Sequence, residues 1–313
     1  MKLLVLTQKV DMGDSNLGFF HSWIFEFAKL CSQVTVICLQ EGSHDLSANV
    51  SVKSLGKERG TSKLSQILHF MFYILHLRHE YDAVFVHMNP EYVILGGLFW
   101  RLLGKKIALW YTHKHVDLKL KIAEKFANII FTASSESFRL KSKKVVVTGH
   151  GVDTEFFSPG PKHFRGHRIV TAGRITPAKH IKEMIEAVGP DLIVAGVPIT
   201  PTDYIYAKEL ESKANFIGSV SYMPDFYRSA DLFLNLSTTG SIDKSVLEAL
   251  ACGTPVLTTN EAFKQVPQIY TELTNLSQAI KDNLDKPQPS LREWVIREHS
   301  LKRLIPRIIH ELS

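Results

Sequence analysis

Short apolar runs alternate with stretches of helical periodicity along the first half of the chain. Continuous apolar runs of this length are typical of strands covered on both faces of a sheet. They predict strands at Leu3–Thr7, Val34–Leu39, Ala83–His87, Ile107–Tyr111, Ile129–Thr132 and Val145–Val147. Helices are predicted between them at Phe19–Leu30, Ser62–Leu77, Glu91–Leu103 and Leu118–Ala127. Strand followed by helix, repeated, indicates a parallel, doubly wound sheet.

The same alternation resumes after a turn-rich link at residues 149–161. Strands are predicted at Arg168–Ala172, Leu192–Ala195, Asn215–Gly218, Leu232–Leu236 and Pro255–Thr258, and helices at Lys179–Val188, Tyr204–Ser212, Met223–Arg228, Lys244–Ala251 and Leu273–Asn283. We therefore expect two Rossmann-like α/β domains, residues 1–155 and 156–313, facing each other across a cleft. A final helix, Leu301–Leu312, could pack on either domain. Ligands of such sheets bind beyond the carboxyl ends of the strands, so the loops there are the candidate sites.

Residues 236–260, LSTTGSIDKSVLEALACGTPVLTTN, combine a strand end, a Gly/Ser turn, a short helix and a second strand. Asp243 is expected to cap the helix through its carboxylate. The polar positions share one stripe of this helix, and the opposite stripe is apolar: Ser241, Lys244, Ser245 and Glu248 against Ile242, Val246, Ala249 and Leu250. A helix N-terminus preceded by small residues suits a phosphate or sugar hydroxyls. The alternative is an ordinary strand–helix–strand unit with one solvated glutamate.

The loop AGRITPAKH at residues 172–180 carries two cations beside a predicted helix N-terminus. The guanidinium of Arg174 can fork onto phosphate oxygens, and Lys179 adds a mobile point charge. A lysine at a helix N-terminus is mildly unfavourable without an anion, which favours a diphosphate clamp over two surface cations.

Two positions in the first half follow predicted strands. Gly18 precedes the first helix and could let a phosphate or sugar approach the backbone, although ordinary use of glycine in a loop explains it equally well. His113 lies at the carboxyl end of the Ile107–Tyr111 strand, where a functional and a structural role are both open. The GxGxxG pattern of a dinucleotide site is absent from the sequence, which argues against a nicotinamide-dependent oxidoreductase.

Composition narrows the class of protein. A chain of 313 residues with 45% apolar residues can bury two full cores. Its three cysteines, Cys31, Cys38 and Cys252, have no CxxC spacing and are predicted to be buried in a reducing compartment. Residues 1–158 contain 19 Lys and Arg against 14 Asp and Glu, an excess that suits an anionic partner or simply a solvated surface. The start of the chain does not have the pattern of a secretion signal, and no apolar run is long enough to span a membrane.

Four motifs together resemble the retaining glycosyltransferases of family 4, which have the GT-B fold. The segment GHGVDTEFFSP at residues 149–159 is similar to the interdomain motif of the family, and AGRITPAKH to its phosphate motif. The segment IGSVSYMPDFYRSADLFLNLS is similar to the unit that receives the nucleotide base, and VLEALACGTPVLTT to the signature EAMACGxPVV. The order and spacing of all four match over essentially the whole chain.

The resemblance implies a metal-independent enzyme that moves a sugar from a nucleoside-diphosphate donor to a hydroxyl acceptor, with the donor as substrate and no cofactor. It implies that Arg174 and Lys179 neutralise the diphosphate, that Glu248 holds the ribose, and that His113 reaches the donor sugar. The catalytic set is therefore Arg174, Lys179 and His113. The implied donor-binding set is Gly18, Val220, Gly240, Ser241, Asp243, Lys244, Leu247 and Glu248. No Asp-x-Asp pair occurs in the sequence to suggest a metal route.

Two departures from the family pattern concern the donor site. The family has a glutamate eight positions before Glu248, where this chain has Gly240, and a glycine after the clamp lysine, where it has His180. Asp243 is the nearest substitute for the missing carboxylate. A catalytically silent nucleotide-sugar binding protein is therefore the alternative function.

The acceptor, a sugar or a lipid-linked sugar, is expected on the first domain. The helical runs LSQILHFMFYILHL and YVILGGLFWRLL have basic neighbours and could contact an anionic membrane surface, although core packing is the commoner explanation. We expect a cytoplasmic protein, peripheral on the inner membrane face if that contact is made. No aromatic and basic platform for nucleic acid is apparent.

Overall fold

A computed structural model describes residues 1–14, 16–161, 168–238, 240–284 and 286–313. The chain divides into two compact units. The first comprises Met1–Gly151 with Leu301–Ser313, and the second comprises Val152–Ser300. The described residues contain no helix long and apolar enough to cross a membrane. Thr239, within the loop predicted to bind the donor, lies outside the described residues.

Seven parallel strands form the sheet of the first unit in the order β3-β2-β1-β4-β5-β6-β7. They are β1 (Lys2–Val10), β2 (Gln33–Glu41), β3 (Val50–Ser54), β4 (Ala83–His87), β5 (Lys106–Trp110), β6 (Ile129–Thr132) and β7 (Val145–Val147). The helices between them are α1 (Phe19–Leu30), α2 (Lys63–His76), α3 (Pro90–Leu102) and α4 (Leu118–Phe126). The sequence pattern missed β3, because its residues are only half-buried at the edge of the sheet.

Five parallel strands form the sheet of the second unit in the order β10-β9-β8-β11-β12. They are β8 (Ile169–Ala172), β9 (Ile193–Ala195), β10 (Asn215–Gly218), β11 (Leu232–Asn235) and β12 (Val256–Thr258). Its helices are α5 (Ile181–Val188), α6 (Pro201–Leu210), α7 (Met223–Arg228), α8 (Lys244–Ala251), α9 (Leu276–Asn283) and α10 (Pro289–His299). The predicted fold class, α/β with two parallel sheets, is confirmed.

The last helix, α11 (Leu301–Leu312), packs against α1 in the first unit. Its buried residues repeat at helical spacing, at Leu301, Leu304, Ile305, Ile308 and Leu312. The three cysteines are buried, as predicted, and carry free thiols. Burial raises the pKa of the Cys38 thiol to about 12, so this group behaves as a small apolar side chain.

Two predicted helix starts are wrong for local reasons, and one helix was not predicted. The helix predicted at Lys179–Val188 begins at Ile181, because His180 is left-handed at φ 53°. The helix predicted at Tyr204–Ser212 begins at Pro201, because Thr200 and Asp203 form a capping box before it. Helix α10 was not predicted, since its residues are mostly polar and show little periodicity.

Candidate functional site

The strand order of the second unit reverses between β8 and β11, which lie side by side although two strand–helix units separate them in sequence. Such a switch point opens a crevice beyond the strand ends, because the connections leave to opposite sides. The loops that flank it are residues 173–180 after β8 and residues 236–243 after β11. They touch, since the backbone N–H of Thr238 donates to the carbonyl of Ala178 at 3.2 Å. Sequence motifs that lie over sixty residues apart therefore share one site.

The Arg174 side chain is directed by a buried carboxylate on α6. Its Nε donates to Asp203 Oδ2 at 2.7 Å, and its Nη2 lies 2.6 Å from the same oxygen. Nη2 also donates to Thr200 Oγ1 at 3.3 Å. The Asp203 side chain is only 2% exposed, whereas 42% of the Arg174 side chain is exposed. The expected clamp cation is therefore fixed on one side by an ion pair and open to solvent on the other.

The environment of Asp203 keeps it ionised. Burial raises the pKa of its carboxyl, but hydrogen bonds from the Thr200 backbone, Thr176 and Arg174 outweigh burial and hold the pKa well below its ordinary value. Sequence reasoning missed this residue. The pattern Thr-Pro-Thr-Asp at 200–203, a threonine followed three positions later by an acid, was the available signal of a capping box.

We expect the substitution Asp203→Asn to make the free energy of unfolding less dependent on pH in the acid range. A carboxyl with a depressed folded pKa stabilises the fold above its unfolded pKa, near 3.8, and this contribution is lost as pH falls toward the folded value. Below about pH 4 the parent chain should take up about one proton more on unfolding than the variant.

Urea unfolding at a series of pH values measures this difference, with the exposed Asp191→Asn as the control. Identical pH slopes for the parent and Asp203→Asn would contradict the assignment.

Lys179 meets a carboxylate from the other loop. Its Nζ donates to Asp243 Oδ2 at 3.2 Å, and less than a fifth of either side chain is exposed. Asp243 does occupy the N-cap position of α8, but it makes no capping hydrogen bond there. The predicted cap is therefore wrong, because this carboxylate is committed to the ion pair with Lys179.

His180 holds the backbone conformation for which the resembling family uses glycine. Its φ of 53° and ψ of 41° are left-handed, a region that costs a residue with a Cβ about 1–2 kcal/mol. Its Nδ1 lies 2.8 Å from Glu183 Oε1, a contact that stabilises the turn. His180 thus forms the turn that separates Lys179 from α5.

Glu248 is oriented by two side chains. Tyr227 Oη donates to Oε2 at 3.1 Å, and Lys244 Nζ lies 3.4 Å from Oε1 across one turn of α8. Burial, and then the Glu248 charge, raise the pKa of Tyr227 well above its ordinary value, which keeps its proton on the phenol. Burial lowers the pKa of Lys244, although Glu248 and Asp153 oppose that shift. The carboxylate therefore has a fixed orientation while 13% of its side chain remains exposed.

The loop before α8 is held by a hydrogen bond from the buried side-chain amide of Asn260. Gly240 is buried with φ 68°, which favours glycine, and the Ser241 carbonyl accepts from Asn260 Nδ2 at 2.8 Å. Asn260 is fully buried, and its backbone N–H donates to Thr258 Oγ1 at 3.1 Å. The sequence gives no signal for this support, because the amide and the loop are nineteen residues apart.

Two predicted donor contacts of the second unit have different surroundings. Leu247 is fully buried in the core, so its side chain offers no surface to a ligand, and donor contact at this position stays a prediction. Val220 is half-buried in the loop after β10, two residues after Gly218, whose φ is 71°. That loop follows the strand beside β9 and leaves Val220 accessible.

Two predicted positions belong to the first unit. A Cβ on Gly18 would lie 2.6 Å from the carbonyl oxygen of Asp14, so packing of its own loop accounts for the glycine, and donor contact there stays a prediction. His113 Nδ1 accepts from the backbone N–H of His115 at 3.0 Å. Partial burial, with His115 and Lys114 nearby, lowers the pKa of His113. The lowered pKa favours the neutral ring, and because Nδ1 accepts a hydrogen bond, the neutral ring carries its proton on Nε2.

Among the residues that the structure describes, no three or more His, Cys, Asp or Glu are grouped as metal ligands. The polar groups that converge at the switch point of the second unit are instead two ion pairs and an oriented carboxylate. This arrangement can receive an anion and hydroxyl groups.

Comparisons with known proteins agree on the fold. Residues 166–275 match the family model described as Glycosyl transferases group 1. No curated protein matches the chain. The solved structures are similar over nearly the whole length of each chain, at identities that show the fold alone. They include HepE of Anabaena in complex with UDP-glucose (TM-score 0.76, 16% identity, 100% of this chain and 99% of that chain). Sucrose-phosphate synthase of Thermosynechococcus elongatus is another (0.73, 15%, 99% and 98%). A third is WaaG, a glycosyltransferase involved in lipopolysaccharide biosynthesis (0.68, 13%, 99% and 99%). The predicted GT-B fold and the resemblance to group 1 glycosyltransferases are confirmed.

Proposed function

We propose that this protein is a retaining glycosyltransferase that uses a nucleoside-diphosphate sugar. The chain has the GT-B fold, and its residues 166–275 match group 1 glycosyltransferases. The observation that carries the proposal is the contact at the switch point between the loop that carries Arg174 and Lys179 and the loop that leads into α8, the helix that carries Glu248. Two cations there match a diphosphate, and an oriented carboxylate matches a pair of ribose hydroxyls. The donor is a substrate, and no cofactor is invoked.

Each donor group has a partner in the second unit. Arg174 and Lys179 take the diphosphate, and Glu248 takes the ribose. The backbone near Val220 takes the base, while Gly240 and Ser241 border the sugar. Uridine is the first base to test, because the HepE structures of similar fold contain UDP or UDP-glucose.

The proposed reaction needs charge stabilisation more than it needs a protein nucleophile. As the glycosidic bond breaks, negative charge grows on the diphosphate, and two fixed cations stabilise that charge at little reorganisation cost. The acceptor hydroxyl attacks from the leaving-group face and gives its proton to a donor phosphate oxygen. Arg174 and Lys179 serve where other transferases use a metal ion, and neutral His113 is available to donate a hydrogen bond to the sugar.

Asp243 is the proposed replacement for the glutamate that the family has at position 240. Its carboxylate already holds Lys179 at 3.2 Å, so its second oxygen can accept from a sugar hydroxyl. It lies three residues further along the loop, which shifts its oxygens relative to the sugar. We therefore expect the preference for the donor sugar to differ from that of a transferase with a glutamate at position 240.

The proposed acceptor is a sugar or a lipid-linked sugar bound by the first unit. We place the enzyme in the cytoplasm, peripheral on the inner face of a membrane. The basic excess of residues 1–158 supports an anionic partner of that kind.

A thermal-shift panel of UDP, GDP, ADP and their sugars tests the donor site. A ligand that binds only the folded chain raises its melting temperature, and we expect UDP and one UDP-sugar to do so. Glu248→Gln should reduce that shift, whereas the exposed Glu186→Gln should leave it unchanged.

No shift with any nucleotide would reject the donor site. A shift without transfer or hydrolysis over a range of acceptors would favour the silent binding protein instead.

A further inference from the structure

Helices α2 and α3 lie over the same face of the first unit's sheet. Both insert large side chains into one core cluster: Phe70 and Ile74 from α2, and Val93 and Trp100 from α3. The Phe70 ring packs edge-to-face on Trp100, with ring centroids 6.2 Å apart. Because both helices turn these residues toward the sheet, their opposite sides face solvent together.

Those opposite sides are also apolar. Along α2 the exposed stripe repeats at spacings of three and four residues, and α3 has a shorter stripe of the same kind. The exposed fractions run from 38% to 78%, for Leu64, Ile67, Leu68, Phe72, Leu75, Leu95, Leu98 and Leu102, which together we call the α2–α3 apolar face. Soluble monomers rarely expose so many large apolar side chains together. The sequence predicted that the apolar residues of both helices pack in the core. This prediction is confirmed for one side of each helix and is wrong for the other side, which is exposed.

The surroundings of the α2–α3 apolar face are basic. Helix α2 has no acidic residue in its fourteen positions. The acidic neighbours of α2 are Glu80 and Glu58, and Glu58 accepts from Ser54 Oγ at 2.8 Å and pairs with Arg59 at 3.6 Å. Glu91, at the start of α3, is paired with Lys119 at 2.7 Å. The exposed cations before, within and after the two helices are Lys57, Arg59, Lys63, Arg78 and Arg101.

We propose that the α2–α3 apolar face docks on the surface of an anionic lipid bilayer. Leucine and phenylalanine side chains would enter the headgroup boundary, while the flanking cations meet acidic headgroups. A symmetric contact with a second copy fits less well, because it would set one basic rim against the other. This inference rests on the proposed function for the presence of a membrane. Docking requires neither donor binding nor turnover, so membrane docking and the proposed enzymatic function can each fail without the other.

Vesicle flotation of the full chain tests the surface. We expect binding to vesicles of phosphatidylcholine with about one third phosphatidylglycerol, weak binding to phosphatidylcholine alone, and release by salt. The double variant Leu68→Gln/Phe72→Gln should lower the partition coefficient at least about tenfold, since both side chains lose their apolar burial.

The matched control is Ile205→Gln/Leu273→Gln, which changes two exposed apolar side chains of the second unit and should bind as the parent does. A second variant, Lys63→Gln/Arg78→Gln, should lose only the preference for anionic vesicles. Equal binding by the parent and Leu68→Gln/Phe72→Gln at an unchanged melting temperature would overturn the proposal. The proposal would also be overturned if the parent is a dimer, Leu68→Gln/Phe72→Gln is a monomer, and both bind vesicles equally.

Discussion

Lys179→Ala is expected to lower the rate of sugar transfer by about 10²- to 10³-fold, the usual effect of removing one preorganised charge-stabilising group. The lysine lies between the two loops of the switch point, and its partner Asp243 keeps the Nζ atom in place. Without it, the leaving diphosphate would face the Asp243 carboxylate with no cation between them. Donor hydrolysis and transfer assays measure the effect.

The control for this variant is Lys182→Ala, which removes an exposed lysine three residues along the chain. It should retain the parent rate. If Lys179→Ala remains within a fewfold of the parent at saturating donor, the lysine does not stabilise the leaving group and the proposed function fails.

Arg174→Ala should be equally damaging to turnover, but it also leaves Asp203 as a buried carboxylate without its guanidinium partner. Combining it with Asp203→Asn removes that unpaired charge. We therefore expect the double variant to recover stability and remain inactive, which separates the role of Arg174 in the reaction from its role in the fold.

Gly196→Ala is expected to destabilise the chain by about 3 kcal/mol or more. A Cβ at this position would lie 1.9 Å from the carbonyl oxygen of Gly173, and the φ of 135° already excludes most side chains. The clash is with backbone, so no side-chain rotation can relieve it. Urea or thermal unfolding of the purified variant measures the loss.

Gly189→Ala separates strain from collision. Its φ of 89° is also unfavourable for a side chain, but a Cβ there meets nothing within 4 Å. With a ψ of −163° it lies in a region essentially restricted to glycine, so we expect the substitution to cost about 1–3 kcal/mol, the price of the backbone conformation alone. Equal destabilisation by the two variants would show that the contact between residues 173 and 196 is not as close as described.

The same glycine pair positions the candidate site. Gly173 N–H donates to the Ala195 carbonyl at 3.0 Å, so the loops after β8 and β9 leave the sheet in contact. Arg174 follows in one loop, and Thr200 with Asp203 follows the other. The close contact between Gly173 and Gly196 thus allows Arg174 and Asp203, which come from different loops, to form their ion pair.

Much of the fold could be predicted from the sequence because its signals are local. Helix α1 and strands β4, β6, β7 and β10 have the predicted bounds, and α8 buries the predicted apolar stripe. Strand β3 and helix α10 were missed because their residues have no strong periodicity and so give no local signal. The two cations of the candidate clamp were singled out because loops after parallel strands carry ligand contacts, and their role toward a donor stays a prediction.

The sequence by itself determined the strand–helix alternation, the GT-B class and the residue types at the switch point. Only the tertiary structure decided what those residues touch. Arg174 meets Asp203, 29 residues away, and Lys179 meets Asp243, 64 residues away, through the order of strands in the sheet. It also decided which side of α2 faces solvent. A helix that is apolar on two sides has no local signal for the side that will pack, because burial depends on which neighbours the sheet places beside it.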